Sequence, residues 1–328
     1  MHDLVTVGDA TIDTFIKIHD AHVQCNINKE DCQLCVNCGD KIAVDEIKHL
    51  VAGNAANNAV GSARLGLKAA IYVNVGDDDS GEKIKKKLEE EGVDCSYVIT
   101  NKETDSNYSA VINFQGERTI FVYHQPWKYR LPKMEAAKWV YYTSLSESFV
   151  GSTLNRDLAG YIKDCGAKLL YNLGTYQIKA GVKNYPEILK VCTVFNVNKE
   201  EAKKILEIPE EKSVDMKKLL KKTREDLGVE NVLITDGREG SYSFDGKDYH
   251  RLHEFPGDRV EATGAGDSYA TALLAALFYG LPLSEGMVWG SINGAYVVKQ
   301  IGPQAGLLHK HEMGKIRSGS PDFKAEKF

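Results

Sequence analysis

The sequence has no apolar run long enough to cross a membrane and no excess of positive charge. Its longest apolar stretch, around Ala270–Leu281, falls short of the roughly 18 residues that a span requires, and is predicted to be a buried helix. The net charge is −5, and the lysines are interspersed with acidic residues, so no basic field would attract nucleic acid. We therefore expect neither a membrane nor a nucleic-acid partner.

The amino terminus also lacks the basic and apolar regions of a signal peptide, since Met1–Val5 leads directly into a short apolar run. We expect a cytoplasmic protein. The seven cysteines are an odd number, and in a reducing compartment they are better assigned to burial or metal binding than to disulfides.

The composition is that of a globular protein, with 43% hydrophobic and 27% charged residues in a chain of 328. Short apolar runs alternate with segments of helical periodicity, beginning with Leu4–Val7, Asn54–Leu65 and Ala70–Val75. This alternation predicts an α/β fold with a mostly parallel central sheet and helices on both faces. The polar tail from Arg317 is expected to fray.

Two stretches interrupt the alternation. Thr14–Leu50 lacks helical periodicity, and Ser106–Tyr123 alternates like a hairpin with a turn at Gln115–Glu117. We interpret them as a small β-rich lid, whose edge strands predict a homodimer formed through the lid. The predicted division is a core of residues 1–13, 51–105 and 125–328 and a lid of residues 14–50 and 106–124.

The lid contains four closely spaced cysteines, at Cys25, Cys32, Cys35 and Cys38. Their spacing resembles that of tetrahedral Zn²⁺ sites, and His19 and His22 are close by. However, short spacings also place side chains on opposite faces of a strand, and buried cysteines behave as small hydrophobes. The sequence leaves open both a Zn²⁺ site and a set of reduced or redox-sensitive thiols.

The strongest chemical signal is the segment Gly264-Ala265-Gly266-Asp267, which an apolar helical run follows. A glycine-rich turn that opens a helix directs backbone N–H groups and the positive end of the helix dipole toward a ligand, which favours phosphate. An Asp in that turn would repel phosphate, so we interpret Asp267 as a base toward an incoming hydroxyl. By itself, the segment is equally compatible with a tight turn and a capping Asp.

Four further segments carry glycines, amides or acids at predicted strand–helix junctions: Ala52–Gly66, Asn198–Glu201, Thr235–Gly240 and Gly302–Gly306. Together with Glu261–Ser268, and in this order, they resemble the motifs of the ribokinase-like sugar and nucleoside kinases, also called the PfkB carbohydrate kinases. The resemblance covers nearly the whole chain. It implies a ribokinase-like fold and a kinase that transfers the γ-phosphate of ATP to a hydroxyl of a sugar or sugar-like small molecule, or of a nucleoside.

The resemblance also implies a role for each matched residue. Asp267 is the base, and the N–H groups of Gly264, Ala265 and Gly266 stabilise the transferring phosphoryl group. Ordinary turn, cap and helix roles are the alternatives for the other residues. The resemblance assigns these other residues to three ligands. They are the substrate (Asp13, Gly53, Asn57), the nucleotide (Asn198, Thr235, Gly237, Gly240, Asn293) and Mg²⁺ (Glu201).

Two positions depart from the family pattern. Ala52 replaces the first glycine of the family's amino-terminal motif. Glu261 stands where family members usually carry an Asp beside an activating monovalent cation. The longer side chain leaves K⁺ activation an open question. Six residues of the second lid segment are candidates for substrate contact, and they do not decide between sugar, sugar phosphate and nucleoside: Tyr108, Asn113, Arg118, Phe121, Tyr123 and His124.

Two other functions are compatible with parts of the sequence. A nucleotide-dependent oxidoreductase on a Rossmann fold is disfavoured, because the glycine-rich segment does not continue as Gly-x-Gly-x-x-Gly. A catalytically silent ligand-sensing protein on the same fold would be expected to lose Asp267 or the Gly-Ala-Gly turn, and both are present.

Overall fold

The computed structural model describes residues 1–25, 32–115 and 117–328. In these ranges the strands are β1 (His2–Val7), β2 (Thr11–Ile18), β3 (His22–Cys25), β4 (Cys32–Cys35), β5 (Val44–Ala52), β6 (Ala69–Tyr72), β7 (Asn74–Gly76), β8 (Ile99–Asn101), β9 (Tyr108–Phe114), β10 (Glu117–Tyr123), β11 (Ala137–Tyr142), β12 (Lys168–Tyr171), β13 (Cys192–Asn198), β14 (Asn231–Thr235), β15 (Ser241–Phe244), β16 (Tyr249–Leu252) and β17 (Glu326–Lys327).

The α-helices of the same ranges are α1 (Asn54–Arg64), α2 (Asp79–Glu90), α3 (Leu154–Cys165), α4 (Thr175–Lys179), α5 (Pro186–Leu189), α6 (Lys199–Ile205), α7 (Met216–Leu227), α8 (Ala265–Phe278), α9 (Leu283–Val297) and α10 (Lys310–Gly319). In the part of the chain that the structure describes, no helix combines the length and the apolar character that a membrane span needs.

A nine-stranded sheet forms the centre of the core, in the order β17-β16-β15-β14-β13-β12-β11-β1-β6. The strands from β6 to β14 along this order run parallel, and β15 to β17 extend the sheet antiparallel. Strands such as Leu4–Val7 are buried throughout, because helices cover both faces. The predicted mostly parallel α/β sheet is confirmed.

The predicted strand over Ala70–Val75 is instead two strands. The chain leaves the central sheet after Tyr72, and β7 pairs with β8 in a separate two-stranded ladder. Both β6 and β7 are buried, so apolar residues continue from one strand into the other. Hydrophobicity alone therefore did not reveal the break between the two strands.

The lid is a four-stranded sheet in the order β10-β9-β2-β5. Strand β2 runs parallel to β9 and antiparallel to β5, and the hairpin of β9 and β10 confirms the alternation over Ser106–Tyr123. Gly116, in the predicted turn, lies outside the described residues. The lid sheet also takes in Thr11–Asp13, because Asp13 pairs in register with Leu50 and Ser109.

The four lid cysteines do not come together as the predicted tetrahedral Zn²⁺ site. Cys25 and Cys32 lie opposite each other in the β3–β4 ladder and form a disulfide, contrary to the expectation of reduced thiols. Cys35 is three residues beyond Cys32, so the two side chains emerge on opposite faces of β4. Among the residues described, no cluster of three or more His, Cys, Asp or Glu side chains could hold a metal ion. The segment between the two strands, residues 26–31, is outside the described ranges.

The carboxy-terminal tail is folded back onto the core, and the expectation of fraying is wrong. Helix α10 includes Arg317, whose guanidinium is paired with Glu285 at 2.6 Å. Beyond the helix, the ring of Phe323 lies 5.0 Å from that of Phe255, and β17 pairs with β16. The polar composition of the tail predicted that it would be exposed. Composition could not reveal these contacts, because they join the tail to residues distant in the sequence.

Candidate active site

The loop before α8 turns back on itself at Gly264, which has φ 80° and forms the amino-terminal end of the helix. A Cβ atom at this position would lie 2.5 Å from the Cβ of Pro303. Only glycine fits both the left-handed backbone and this approach. The first N–H groups of α8 have no partner within the helix and favour an anion, although Ala265 N also donates to Ala262 O in the turn at 3.3 Å.

Asp267 lies in the first turn of α8 and is 8% exposed. Its Oδ2 accepts a hydrogen bond from Asn57 Nδ2 at 2.8 Å, and Gln304 Nε2 in turn donates to Asn57 Oδ1 at 3.1 Å. Burial raises the pKa of Asp267 to about 6; the Asn57 hydrogen bond lowers it, and the charges of Asp13 and Glu201 raise it further. At neutral pH the carboxylate is therefore mostly ionised and close to its pKa, as a general base requires.

Two cavities meet at this turn. The larger one, about 580 Å³, lies between the lid and the carboxyl ends of the parallel strands, and the smaller one, about 130 Å³, lies beside α9 and β15. Thr235, Ala265 and Gly266 line both cavities. The predicted residues that line the larger cavity are Asp13, Gly53, Asn57, Asn198, Glu201, Thr235, Gly264, Ala265, Gly266 and Asp267.

Asp13 and Gly53 form the lid side of the larger cavity. Asp13 is buried, and its Oδ1 has no hydrogen-bond partner among the described residues. Burial raises the pKa of Asp13 to about 6. A hydrogen bond from Ser109 lowers this pKa, and the charge of Glu261 raises it. Gly53 has φ 98°, and a Cβ there would lie 2.6 Å from both Ala10 Cα and Asp9 O. The glycine lets α1 begin directly against the loop that follows β1.

Asn198 and Glu201 form a reciprocal cap at the start of α6. Asn198 Oδ1 accepts from Glu201 N at 2.8 Å, and Glu201 Oε2 accepts from Asn198 N at 2.9 Å. Burial raises the pKa of Glu201. The cap uses one oxygen of a carboxylate that also lines the cavity. This donor set fits Mg²⁺, which retains several waters and takes one or two carboxylates together with phosphate oxygens.

The other predicted nucleotide residues divide between two places. Thr235, Gly237 and Gly240 line the smaller cavity. Asn293 lines neither cavity: its Nδ2 donates to Ser268 O at 2.8 Å and its Oδ1 accepts from Leu308 N at 3.1 Å. The side chain is fully buried and ties α9 to α8. The residues of α9 that face the smaller cavity are Ser291, Gly294 and Ala295.

Glu261, the position associated with K⁺, is engaged by protein donors. Its Oε1 accepts from Arg118 Nη1 at 3.3 Å, from Thr263 N at 2.7 Å and from the Thr263 hydroxyl, and its Oε2 accepts from Gly302 N at 3.4 Å. A guanidinium beside the carboxylate repels a second cation. The residues present therefore do not fit a K⁺ site, and Arg118 instead links the lid to the loop before α8.

The pfkB family carbohydrate kinase model matches residues 6–310. The chain belongs to this family. An ATP-dependent 6-phosphofructokinase from Thermoanaerobacterium thermosaccharolyticum is 24% identical over 92% of this chain and 89% of its own length. A nucleoside kinase from Methanothermobacter thermautotrophicus is 24% identical over 81% of this chain and 84% of its own. The structure of Arabidopsis thaliana ribokinase with ribose and ATP has a TM-score of 0.76 and 21% identity, over 96% of this chain and 98% of that one.

This pfkB-family kinase is thus a phosphotransferase with an alcohol group as acceptor, and the predicted family and enzyme class are confirmed. Of the six lid candidates, Arg118 and His124 line the larger cavity. Phe121 and Tyr123 are exposed, and the Tyr108 hydroxyl donates to Thr14 Oγ1 at 2.6 Å. Asn113 lines a separate cavity beneath the lid.

The sequence did not single out two residues that shape this kinase site. No motif marks Asp9, yet it is 3% exposed and lines the larger cavity. Gln304 holds Asn57, which in turn holds Asp267. The motif Gly302–Gly306 was the only available signal for Gln304, because its contact with Asn57 spans 247 positions.

Proposed function

We propose that the protein transfers the γ-phosphate of ATP to a hydroxyl of a sugar or sugar-like small molecule, with Asp267 as the base and the N–H groups of Gly264–Gly266 as the anion hole. The observation that carries this proposal is the meeting of the two cavities at the turn before α8, beside the buried carboxylate. A nucleotide in the smaller cavity and an acceptor in the larger one would face each other there.

The transfer follows from the charges at this point. The acceptor oxygen attacks the γ-phosphorus and gives its proton to Asp267, while the bond from the γ-phosphorus to the bridging oxygen breaks and ADP leaves. The N–H groups of Gly264, Ala265 and Gly266 stabilise the negative charge on the transferring group. Mg²⁺, when bound near Glu201, would neutralise charge on the phosphates.

Binding is shared between the two cavities. We propose that Asp13 and Asn57 accept and donate hydrogen bonds to acceptor hydroxyls, and that Gly53 lets the acceptor approach the backbone. Thr235, Gly237 and Gly240 would hold the nucleotide phosphates, with Asn198 at the junction. The unpartnered Oδ1 of Asp13 supports this arrangement, because a buried carboxylate oxygen without a donor is costly.

A coupled ADP-release screen over sugars, sugar phosphates and nucleosides tests the proposal, with phosphorus NMR to detect the phosphoester formed. We expect ADP release to depend on one class of acceptor and to match the phosphoester in amount. ADP release without a phosphorylated acceptor, or no release with any acceptor, would contradict the proposed function. A nucleoside as the best acceptor would select the nucleoside kinase alternative, as in one of the relatives.

We also propose that two copies pair through the lid. Strand β10 is at the edge of the lid sheet, and all its residues are exposed, including Phe121 at 64% and Val122 at 55%. An exposed apolar edge strand is a template for pairing with another chain. Light scattering after gel filtration should give a dimer for the wild type and a monomer for Phe121→Lys. A monomeric wild type at high concentration would refute this pairing.

A further inference from the structure

The larger cavity contains a second polar site, formed by the side chains of Asp9 and His124, which we call the Asp9–His124 pair. Asp9 belongs to the loop after β1, and His124 follows the last residue of lid strand β10. No role proposed above uses the side chain of Asp9, and His124 has been named only as a candidate for substrate contact. Both nevertheless present polar atoms that are buried on the cavity wall.

Asp9 is held firmly by one of its two carboxylate oxygens. The Tyr129 hydroxyl donates to Asp9 Oδ1 at 2.7 Å, and Ser146 N donates to that hydroxyl at 2.9 Å. The backbone is fixed as well, because Ala55 N donates to Asp9 O at 3.3 Å. The other oxygen, Oδ2, receives no hydrogen bond from the residues that the structure describes. Asp9 is thus a fixed acceptor with one free site.

His124 faces that free oxygen. Its Nδ1 lies 3.7 Å from Asp9 Oδ2, which is longer than a hydrogen bond, and no described residue forms a hydrogen bond with this nitrogen. The imidazole packs edge-on against the ring of Tyr176, with centroids 5.6 Å apart. His124 Nδ1 and Asp9 Oδ2 therefore lie side by side and buried, and neither atom has a hydrogen-bond partner among the described residues.

We infer that the Asp9–His124 pair binds one hydroxyl group of an uncharged polyol acceptor, at a position distinct from the hydroxyl that is phosphorylated. A hydroxyl carries one donor and two acceptor lone pairs, so it satisfies both members at once. It donates to Asp9 Oδ2 and accepts from His124 in the tautomer with a proton on Nδ1. This inference rests on the proposed function and specifies the class of its acceptor.

The charges of the cavity wall favour an uncharged acceptor over a sugar phosphate. Four carboxylates line the cavity, at Asp9, Asp13, Glu201 and Asp267. Of the two lining cations, Arg118 is paired with Glu261, and Lys179 Nζ lies over the Tyr176 ring at 5.6 Å from its centroid. A phosphate on the acceptor would face four carboxylates, and among the described residues that line the cavity Lys179 is the only cation without a carboxylate partner. The inference thus assigns the chain an acceptor without the phosphate group that the name of its 6-phosphofructokinase relative implies.

The test combines deoxy acceptors with protein variants. The probes are D-ribose, D-fructose and inosine, each with its mono-deoxy analogues, together with fructose 6-phosphate. For the wild type, we expect removal of one particular hydroxyl to lower kcat/KM by about 100-fold, because a site built to bind a hydroxyl leaves its polar groups unpaired without it. In Asp9→Ala this penalty should fall below about fivefold, while the penalties for the other hydroxyls stay unchanged.

His124→Phe provides a second variant that keeps a ring against Tyr176 and removes both nitrogens. It should reduce the same deoxy penalty by about tenfold and no other. Asp164→Asn, at an exposed position of α3, is the control and should keep every penalty. Equal deoxy penalties in the wild type and both variants, or fructose 6-phosphate as the preferred acceptor, would overturn the inference. A wild type that phosphorylates no probe would instead refute the proposed function and, with it, this inference.

Discussion

Replacing Asp9 by Asn should stabilise the unliganded protein at high pH, and this advantage should disappear at low pH. Burial raises the pKa of Asp9 from 3.8 to about 7. A carboxyl group whose pKa is higher in the folded state than in the unfolded state contributes stability below the unfolded pKa. That stability is lost as the pH rises through the folded pKa. The wild type therefore loses stability between about pH 4 and pH 7 because of this group, whereas the variant does not.

The size of the effect follows from the separation of the two pKa values. A difference of about three units corresponds to roughly 4 kcal/mol once Asp9 is ionised in both states, near pH 8. At pH 5 the same values give about 2 kcal/mol. The new amide N–H has no partner at the former Oδ2 position, which subtracts about 1–3 kcal/mol at every pH. With that cost subtracted, the variant should be close to the wild type in stability at pH 5 and more stable than the wild type at pH 8, and the difference should grow by about 2–3 kcal/mol between the two.

Urea unfolding of the wild type and Asp9→Asn at pH 5, 6, 7 and 8 measures this difference. Asp164→Asn, on the exposed side of α3, serves as the control and should shift stability by less than about 0.5 kcal/mol at each pH. A stability difference that is independent of pH, or one that shrinks as the pH rises, would refute the burial argument. The predicted gain at high pH would mean that the ionised Asp9 costs the unliganded protein stability.

Further predictions concern the turn before α8 and its neighbours. The rate in potassium should equal that in a bulky organic cation, because Arg118 neutralises Glu261; a stimulation above about threefold would contradict this. In a pH profile of kcat, the acid limb should lie near pH 6, the pKa of Asp267, since only the ionised form accepts a proton. In Asn57→Ala this limb should move to higher pH, because the hydrogen bond that favours ionisation is lost; an unmoved limb would exclude Asp267 as its source. Gly264→Ala should lower stability by about 1–3 kcal/mol in thermal unfolding and slow transfer, and a variant equal to the wild type in both would count against the strained turn.

The sequence predicted the elements that follow from local periodicity. The strand over Leu4–Val7, the helix beginning at Asn54 and the buried helix around Ala270–Leu281 all occur, because each has its own local run of apolar residues. Strands β15 to β17 were not predicted. Their short segments pair antiparallel at the end of the sheet, and the pairing of β17 depends on a tail that returns from the end of the chain.

The site was predicted only where a motif carried it. Asn57 and Asp267 belong to matched segments, the resemblance assigns Asp13 to the substrate, and all three residues line one cavity. The contact between Arg118 and Glu261 joins positions 143 apart. No local pattern could therefore reveal that a guanidinium of the lid, rather than a K⁺ ion, lies beside the Glu261 carboxylate. Asp9 was missed for another reason: a Gly-Asp turn usually caps or bends the chain, and only its burial beneath Tyr129 distinguishes it.

The central claim is that Asp267 accepts the proton of the acceptor hydroxyl. Asp267→Asn keeps the shape of the side chain and removes its basicity, so single-turnover transfer from ATP should fall by at least about a hundredfold. The affinity for ATP, measured by calorimetry, should stay within about threefold of the wild type, because Asp267 is not a nucleotide contact in this account. Transfer at a near wild-type rate in this variant, with ATP bound normally, would contradict the account.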